Sequence, residues 1–410
     1  MSQSITAVEV PAPSVAMTPK RMAHPLLFQW GVSTLFGWGV FGLNLLRHWQ
    51  HVAGTPVYCG EQMQLDSLAG MDPLVLRALT PALCESSELR ARWASIMAET
   101  NRFDGLVLHG LGNRFSRLDE GGVAGRTTCA IIFFEDTSIS EKIHAGYDLI
   151  VTGSSWCEEI LRASKVTNVT TVIQGIDLSI FHPAPRSDAL EGRFAVFSGG
   201  KLEHRKAQDL VLRAFAPFAR RHPEAVLVAA WRSPWPGVAV TVNGSGAAAP
   251  VTLDGNGAID IAGWVRSNGI AEDQFIDVGI IPNHLMARVL REMDVAVFPN
   301  RCEGGTNLVA MECMACGIPT ILSNNTGHKD LVALGSTFVL MRQGAVRSDT
   351  MGTEGWGESD VDEIIEALET SWSDRDRARR LGDAGASAMA QHSWRRQIGQ
   401  LHDALVPYCT

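Results

Sequence analysis

A full set of cysteine pairs at metal-ligand spacing is missing from this chain. Its eight cysteines are scattered at Cys59, Cys84, Cys129, Cys157, Cys302, Cys313, Cys316 and Cys409, and the C-x-x-C of Cys313 and Cys316 has no second pair to complete a metal site. Cys313 and Cys316 read as small buried hydrophobes, and the scattered set as that of a reducing, cytoplasmic protein with no metal expected. Surplus positive charge is missing too. A net charge of −9 removes the bulk attraction behind nucleic-acid binding and leaves peripheral membrane association as the most to be expected. There is no internal repeat and no low-complexity domain. Residues 1–23, rich in Ser, Pro, Ala and Val without a period, lack the apolar centre of a signal peptide and read as a disordered tail. The charge-free run 25–46 has the length of a membrane span. Gly31, Gly37, Gly39 and Gly42, with Gln29, Ser33, Thr34 and Asn44, break it into a strand, a loop and a helix.

What is present is a soluble-type balance of 46% hydrophobic and 19% charged residues over 410 positions, long enough for two cores. Short apolar runs alternate with helical stretches from residue 26 onward. Strands are expected at 26–32, 56–59, 105–109, 128–134, 149–152 and 169–173, with helices at 40–49, 88–99 and 155–163. Alternation of this kind makes a parallel sheet covered on both faces. A second run of the same kind opens at Phe194, after a linker at 183–192.

One stretch of that second run carries the clearest chemistry. The apolar run 295–298, closed by Pro299 and Asn300, reads as a strand. Gly304 and Gly305 then form a loop that lets the backbone approach a ligand, and Thr306 or Asn307 caps a helix over 308–316 that Gly317 and Pro319 end. Free amides and the positive end of the dipole at such a helix start favour phosphate. Glu303 in the loop and Glu312 on the helix accept hydroxyl hydrogens. Phosphate donors beside hydroxyl acceptors suit a nucleoside-diphosphate sugar.

The stretch resembles the Glu-x7-Glu signature of retaining GT-B glycosyltransferases of the family-4 type, although eight residues separate Glu303 from Glu312 here. The resemblance implies that Glu303 contacts the donor sugar and Glu312 the ribose hydroxyls. It extends over most of the chain, about 26–405. The segment Phe194-Ala-Val-Phe-Ser-Gly-Gly-Lys-Leu-Glu-His-Arg-Lys206 matches the family's Gly-Arg/Lys-Leu-x-x-x-Lys pattern, which assigns Gly200, Lys201 and Lys206 to the diphosphate along with Gly305, Thr306, Asn307 and Leu308. Two ammonium groups beside a helix start neutralise charge growing on the leaving diphosphate. The segment 174–183, with Gly175, Phe181 and Pro183, is similar to the one that leads into the family's interdomain linker.

The resemblance further implies an α/β architecture of two Rossmann-like, doubly wound parallel-sheet domains facing across a cleft. Their expected extents are 24–185 on the acceptor side and 193–385 on the nucleotide-sugar side, with a final helix in 386–410 crossing back to the first. By analogy Gly37 and Gly39, in the first loop, face the cleft. His109 and Glu135, at strand ends, are candidate catalytic groups, and 324–330 is expected to line the cleft. The basic loop can do a metal's electrostatic work, so no cofactor or metal is expected beyond a donor substrate linked to UDP or GDP. The acceptor, a glycan, a lipid-linked molecule or a protein, is left open. A GT-B-fold epimerase or phosphorylase, or a catalytically silent sugar-nucleotide-binding partner, would share these features.

Overall fold

The computed structural model describes residues 22–409 apart from 23, 63, 64, 69, 101, 120, 140–145 and 234. The expected tail, 1–23, lies outside the described residues save for Met22. The chain begins with β1 (Leu26–Gln29), α1 (Gly37–Ala53) and β2 (Val57–Cys59). It continues through α2 (Pro73–Ala91), α3 (Trp93–Thr100), β3 (Phe103–Leu111), β4 (Gly125–Ile132), β5 (Ile150–Thr152), α4 (Ser155–Ala163) and β6 (Val169–Thr171). These strands form one six-stranded sheet in the order β2-β1-β3-β4-β5-β6, every pairing parallel.

Beyond residue 183 come β7 (Phe194–Gly199), α5 (Gln208–Arg221), β8 (Ala225–Ala230), α6 (Pro236–Ala239), α7 (Ile261–Ser267), β9 (Phe275–Asp277), α8 (Asn283–Leu290) and β10 (Val295–Phe298). Then follow α9 (Leu308–Ala315), β11 (Thr320–Ser323), α10 (His328–Val332), β12 (Phe338–Leu340), and the antiparallel pair β13 (Gln343–Gly344) and β14 (Glu358–Ser359). The second six-stranded parallel sheet runs β12-β11-β10-β7-β8-β9. Its order reverses between β7 and β10, and crevices at such a reversal are where open α/β sheets bind ligands. The chain closes with α11 (Val361–Ser373), α12 (Arg375–Met389) and α13 (Trp394–Leu405).

The strands are buried on both faces, as sheets covered by helices require: all residues of β1, β5, β10 and β11 are inaccessible. In the second half one core lies on each side of the sheet, with Phe215, Phe218 and Trp231 in one and Met311, Met314 and Leu290 in the other. The apolar stripe of α13 packs on α1, where the Trp394 and Phe41 rings lie 5.3 Å apart and Ile398, Leu401 and Leu405 join the first core.

Two expectations need correction. In place of one helix at 88–99 there are two, α2 starting fifteen residues earlier, because Asp72 accepts hydrogen bonds from Leu74 and Val75 amides and Pro73 fits the first helical position. The stretch 232–260, which shows no helical period, contains α6 and a 3-10 turn, Val240–Ser245. It is anchored by buried Ala239, Val242 and Val251 and by Asn243, whose side chain bonds both backbone groups of Val251. The charge-free run 25–46 is β1, a loop and the first half of α1, and among the described residues no helix is long and apolar enough to cross a membrane.

Candidate functional site

The loops after β7, β8 and β10 meet where the second sheet's order reverses. After β7, Gly200 takes φ +111, which a side chain rarely adopts, and turns the chain into the basic loop. The Lys206 ammonium lies 2.5 Å from Glu303 Oε1, and the Arg205 guanidinium 3.0 Å from Glu303 Oε2. Asn300 also donates to Glu303 Oε1. Burial by itself would push the Glu303 carboxyl up, but Lys206 and then Arg205 outweigh it and bring it down to about 2. Glu303 is therefore a fixed anion, and in the free protein the Lys206 charge is directed at it. Lys201 is the more accessible of the two lysines, its side chain 37% exposed, 3.6 Å from Glu203 and 5.4 Å above the Trp235 ring.

The glycine loop leads into α9. Asn307, at φ 67, caps the helix by accepting from the Ala310 amide, so the Leu308 and Val309 amides, which have no intrahelical partner, are the open donors of its first turn. Buried Thr306 directs its hydroxyl to Met311 Sδ. Glu312 is buried on α9 and accepts from Asn283 Nδ2 at 2.5 Å. Burial raises its carboxyl to about 8, with the Asn283 hydrogen bond opposing. The two glutamates thus differ in kind: Glu303 is an anion held by cations, Glu312 an acid that burial keeps protonated.

The first domain closes over this surface. Thr34 O accepts from the Asn283 amide at 2.7 Å, and the Phe36 ring lies 5.7 Å from Trp235. Gly37 opens α1 with free space around its Cα, and Gly39 lies so close to Ser33 that a side chain there would collide with it. Gly304 rests on the backbone of Phe134, and its carbonyl accepts from Ser154 Oγ at 2.8 Å. Gly305 faces the Phe133 ring. Ser155 bonds Asp330 through its amide and its hydroxyl. Glu135 Oε1 stands 3.4 Å from Arg205 Nε, and its carbonyl accepts from Trp356 Nε1.

Lys201, Lys206, Glu303, Gly305, Thr306 and Asn307 are thus on adjoining loops and Leu308 and Glu312 on α9 beside them, with Glu135 and the loop before Gly37 against them from the other domain. His109 is a correction. It is buried inside the first domain, with Nδ1 3.0 Å from Asp119 Oδ1 and Nε2 2.8 Å from Val123 O. With both ring nitrogens occupied it has no proton-accepting position to offer a substrate. Two contributors, Arg205 and Asn283, escaped the sequence reading, while Thr326 and His328 lie in the segment 324–330 expected to line the cleft. Arg205 was visible as the neighbour of Lys206 but carried no pattern of its own. Asn283, and the partners of Thr326 and His328, were hidden because these contacts join segments far apart in the chain. Among the described residues no group of three or more His, Cys, Asp or Glu is arranged to hold a metal ion.

Comparison with known proteins bears on the family and the fold. Residues 184–348 match the family model "Glycosyl transferases group 1". A D-inositol 3-phosphate glycosyltransferase of Gordonia bronchialis is 29% identical over 240 residues, covering 55% of this chain and 44% of the relative. A GDP-mannose-dependent alpha-(1-6)-phosphatidylinositol dimannoside mannosyltransferase of Mycobacterium tuberculosis is 25% identical over 198 residues, 47% of this chain and 45% of that protein. The alignments thus span less than half the length of these curated relatives. Among solved structures, sucrose-phosphate synthase from Thermosynechococcus elongatus superposes with a TM-score of 0.61 at 17% identity, covering 94% of this chain and 99% of its own. Anabaena HepE in complex with UDP gives 0.62 at 11%, covering 94% and 100%. Residues 184–348 thus match the glycosyl transferases group 1 family, and the two parallel-sheet domains have the GT-B fold.

Proposed function

We propose that the protein transfers a hexosyl group from a nucleoside-diphosphate sugar to an acceptor hydroxyl with retention. The observation that carries this reading is the meeting of the basic loop after β7, the first turn of α9 and two dissimilar glutamates where the second sheet's order reverses, with the first domain closed above them. Lys201, Lys206 and the amides at the start of α9 would take the diphosphate. As the bond from the anomeric carbon to the diphosphate oxygen breaks, its electron pair leaves with the diphosphate, and these donors stabilise that charge without a metal. Glu312 would accept the ribose hydroxyls and Glu303 those of the sugar. Domain closure keeps water from the donor. Neighbours solved with UDP and a relative named for GDP-mannose support a UDP- or GDP-linked donor. The relatives' names point to a small polyol phosphate or a lipid-linked glycan as acceptor classes to try first.

The test is thermal unfolding of the purified protein against UDP, GDP, ADP and their sugar conjugates without metal. A ligand at about a hundred times its Kd raises stability by about 2.7 kcal/mol, visible as a higher midpoint. A rise with one base names the donor class. A folded sample indifferent to all of them would sink the reading.

A further inference from the structure

The extra residue between Glu303 and Glu312 is held by a hydrogen-bond chain that arrives from another segment. Asn307 takes φ 67 and ψ 88, a left-handed conformation that asparagine tolerates better than most residues. Its Oδ1 accepts from the Ala310 amide, and its Nδ2 lies 3.0 Å from His328 Nε2. His328 is buried at the start of α10, with Nδ1 2.9 Å from Ser323 Oγ. The Ser323 hydroxyl donates to Asn300 O at 2.8 Å, which leaves it able only to accept from the ring. Nδ1 therefore carries the hydrogen, and Nε2 is the lone pair that receives the Asn307 amide. Burial also drives the ring pKa down to about 4, so the neutral form required is the one present. Every donor in this chain has one acceptor, and the Asn307 amide has one orientation.

The segment around His328 grips the rest of the loop as well. The Glu303 amide donates to Thr326 Oγ1 at 2.9 Å, and the Gly327 amide to Glu303 O at 3.0 Å. Gly327 touches Gly305 O so closely that a side chain there would collide with it.

We propose that His328 is a positioning residue for the donor site. It holds Asn307 in its left-handed capping geometry and thereby aims the Leu308 and Val309 amides at the donor diphosphate. A loop one residue longer than the family signature can then present its helix start correctly, because the added backbone freedom is removed from outside the loop. The inference rests on the donor-site reading above.

Two substitutions separate the ring's two nitrogens. In His328→Gln the amide oxygen reaches the place of Nε2 and still accepts from Asn307. In His328→Asn the shorter amide donates to Ser323 but does not reach Asn307. The measurements are Kd values for UDP, GDP and inorganic pyrophosphate, and for the free nucleosides, each beside the unfolding midpoint. His328→Gln is expected to stay within about threefold of wild type, and His328→Asn to lose about tenfold for the nucleotide and for pyrophosphate, with nucleoside affinity unchanged. Asn307→Gly, which tolerates the same backbone angles, should lose the same factor, and adding His328→Asn to it should cost nothing more. Equal affinities in the Gln and Asn variants, an equal loss for nucleoside, or additive losses in the double variant would overturn the positioning role. A folded wild type that binds no nucleoside diphosphate overturns the donor-site reading and this inference together.

Discussion

Glu303 and Glu312 are both buried, yet they are charged differently because their neighbours differ. Glu303 faces Lys206 and Arg205, while Glu312 faces the neutral amide of Asn283. A carboxyl raised from its ordinary range to about 8 binds a proton on folding. Its contribution to stability is full below the ordinary carboxylate pKa of about 4.3 and is lost as pH rises toward 8. In the proposed role, ribose hydroxyls donating to Glu312 would favour the carboxylate, so ligand binding is expected to expel that proton and affinity to rise with pH up to about 8. Calorimetry of nucleoside diphosphate binding at pH 7 in two buffers of different ionisation enthalpy is expected to show close to one proton released by wild type, a release missing in Glu312→Gln. Equal proton counts in the two proteins would remove Glu312 from the ribose. That Glu303 and Glu312 flank one glycine loop and helix start was legible in their spacing. Which of them carries a charge was not, because Lys206 and Asn283 reach them from loops 97 and 29 residues away.

The basic loop is supported by one element contact above others. Arg301, fully buried at the end of β10, pairs with both oxygens of Asp209 on α5, with Glu358 on β14, and with His204 O in the loop itself. Strand end, helix and hairpin are thereby locked around the turn that presents Arg205 and Lys206. Arg301→Met would leave Asp209 buried and uncompensated, at a cost of about 3–5 kcal/mol. Urea denaturation is expected to show that loss, and Arg301→Met with Asp209→Asn to recover part of it; a double variant as unstable as the single one would deny the pairing its role. At this scale most of the strands before β12, and α9, were legible, since each has a local cause: an unbroken apolar run, a capping residue, or glycine with proline close behind. The start of α2 carried a readable signal too, Asp72 before Pro73. The brace at Arg301 did not, because an arginine between asparagine and cysteine looks like any solvated loop residue until the hairpin covers it.

Across the whole molecule the two domains touch directly at the glycine loop. A Cβ placed on Gly304 would lie 2.5 Å from the Phe134 carbonyl oxygen, so Gly304→Ala is expected to hold the domains apart while leaving the second domain's nucleotide contacts in place. Small-angle scattering should report a larger radius of gyration, nucleoside diphosphate binding should persist, and transfer should fall on the order of a hundredfold through misplacement of the acceptor side. Wild-type scattering and turnover would show that closure at Phe134 is unimportant. The Arg205–Glu135 contact and the two bonds of Ser155 to Asp330 belong to the same closed arrangement.

The sequence by itself determined the alternation of apolar runs and helices, hence two parallel sheets. It also placed lysines, glycines and glutamates on loops that follow strands, because those features depend on neighbours within about ten residues. Only the tertiary structure decided that His109 is locked away in the first domain, that Lys206 faces Glu303, and that His328 holds Asn307. These outcomes depend on which segments lie side by side, and on how burial strengthens each contact between them.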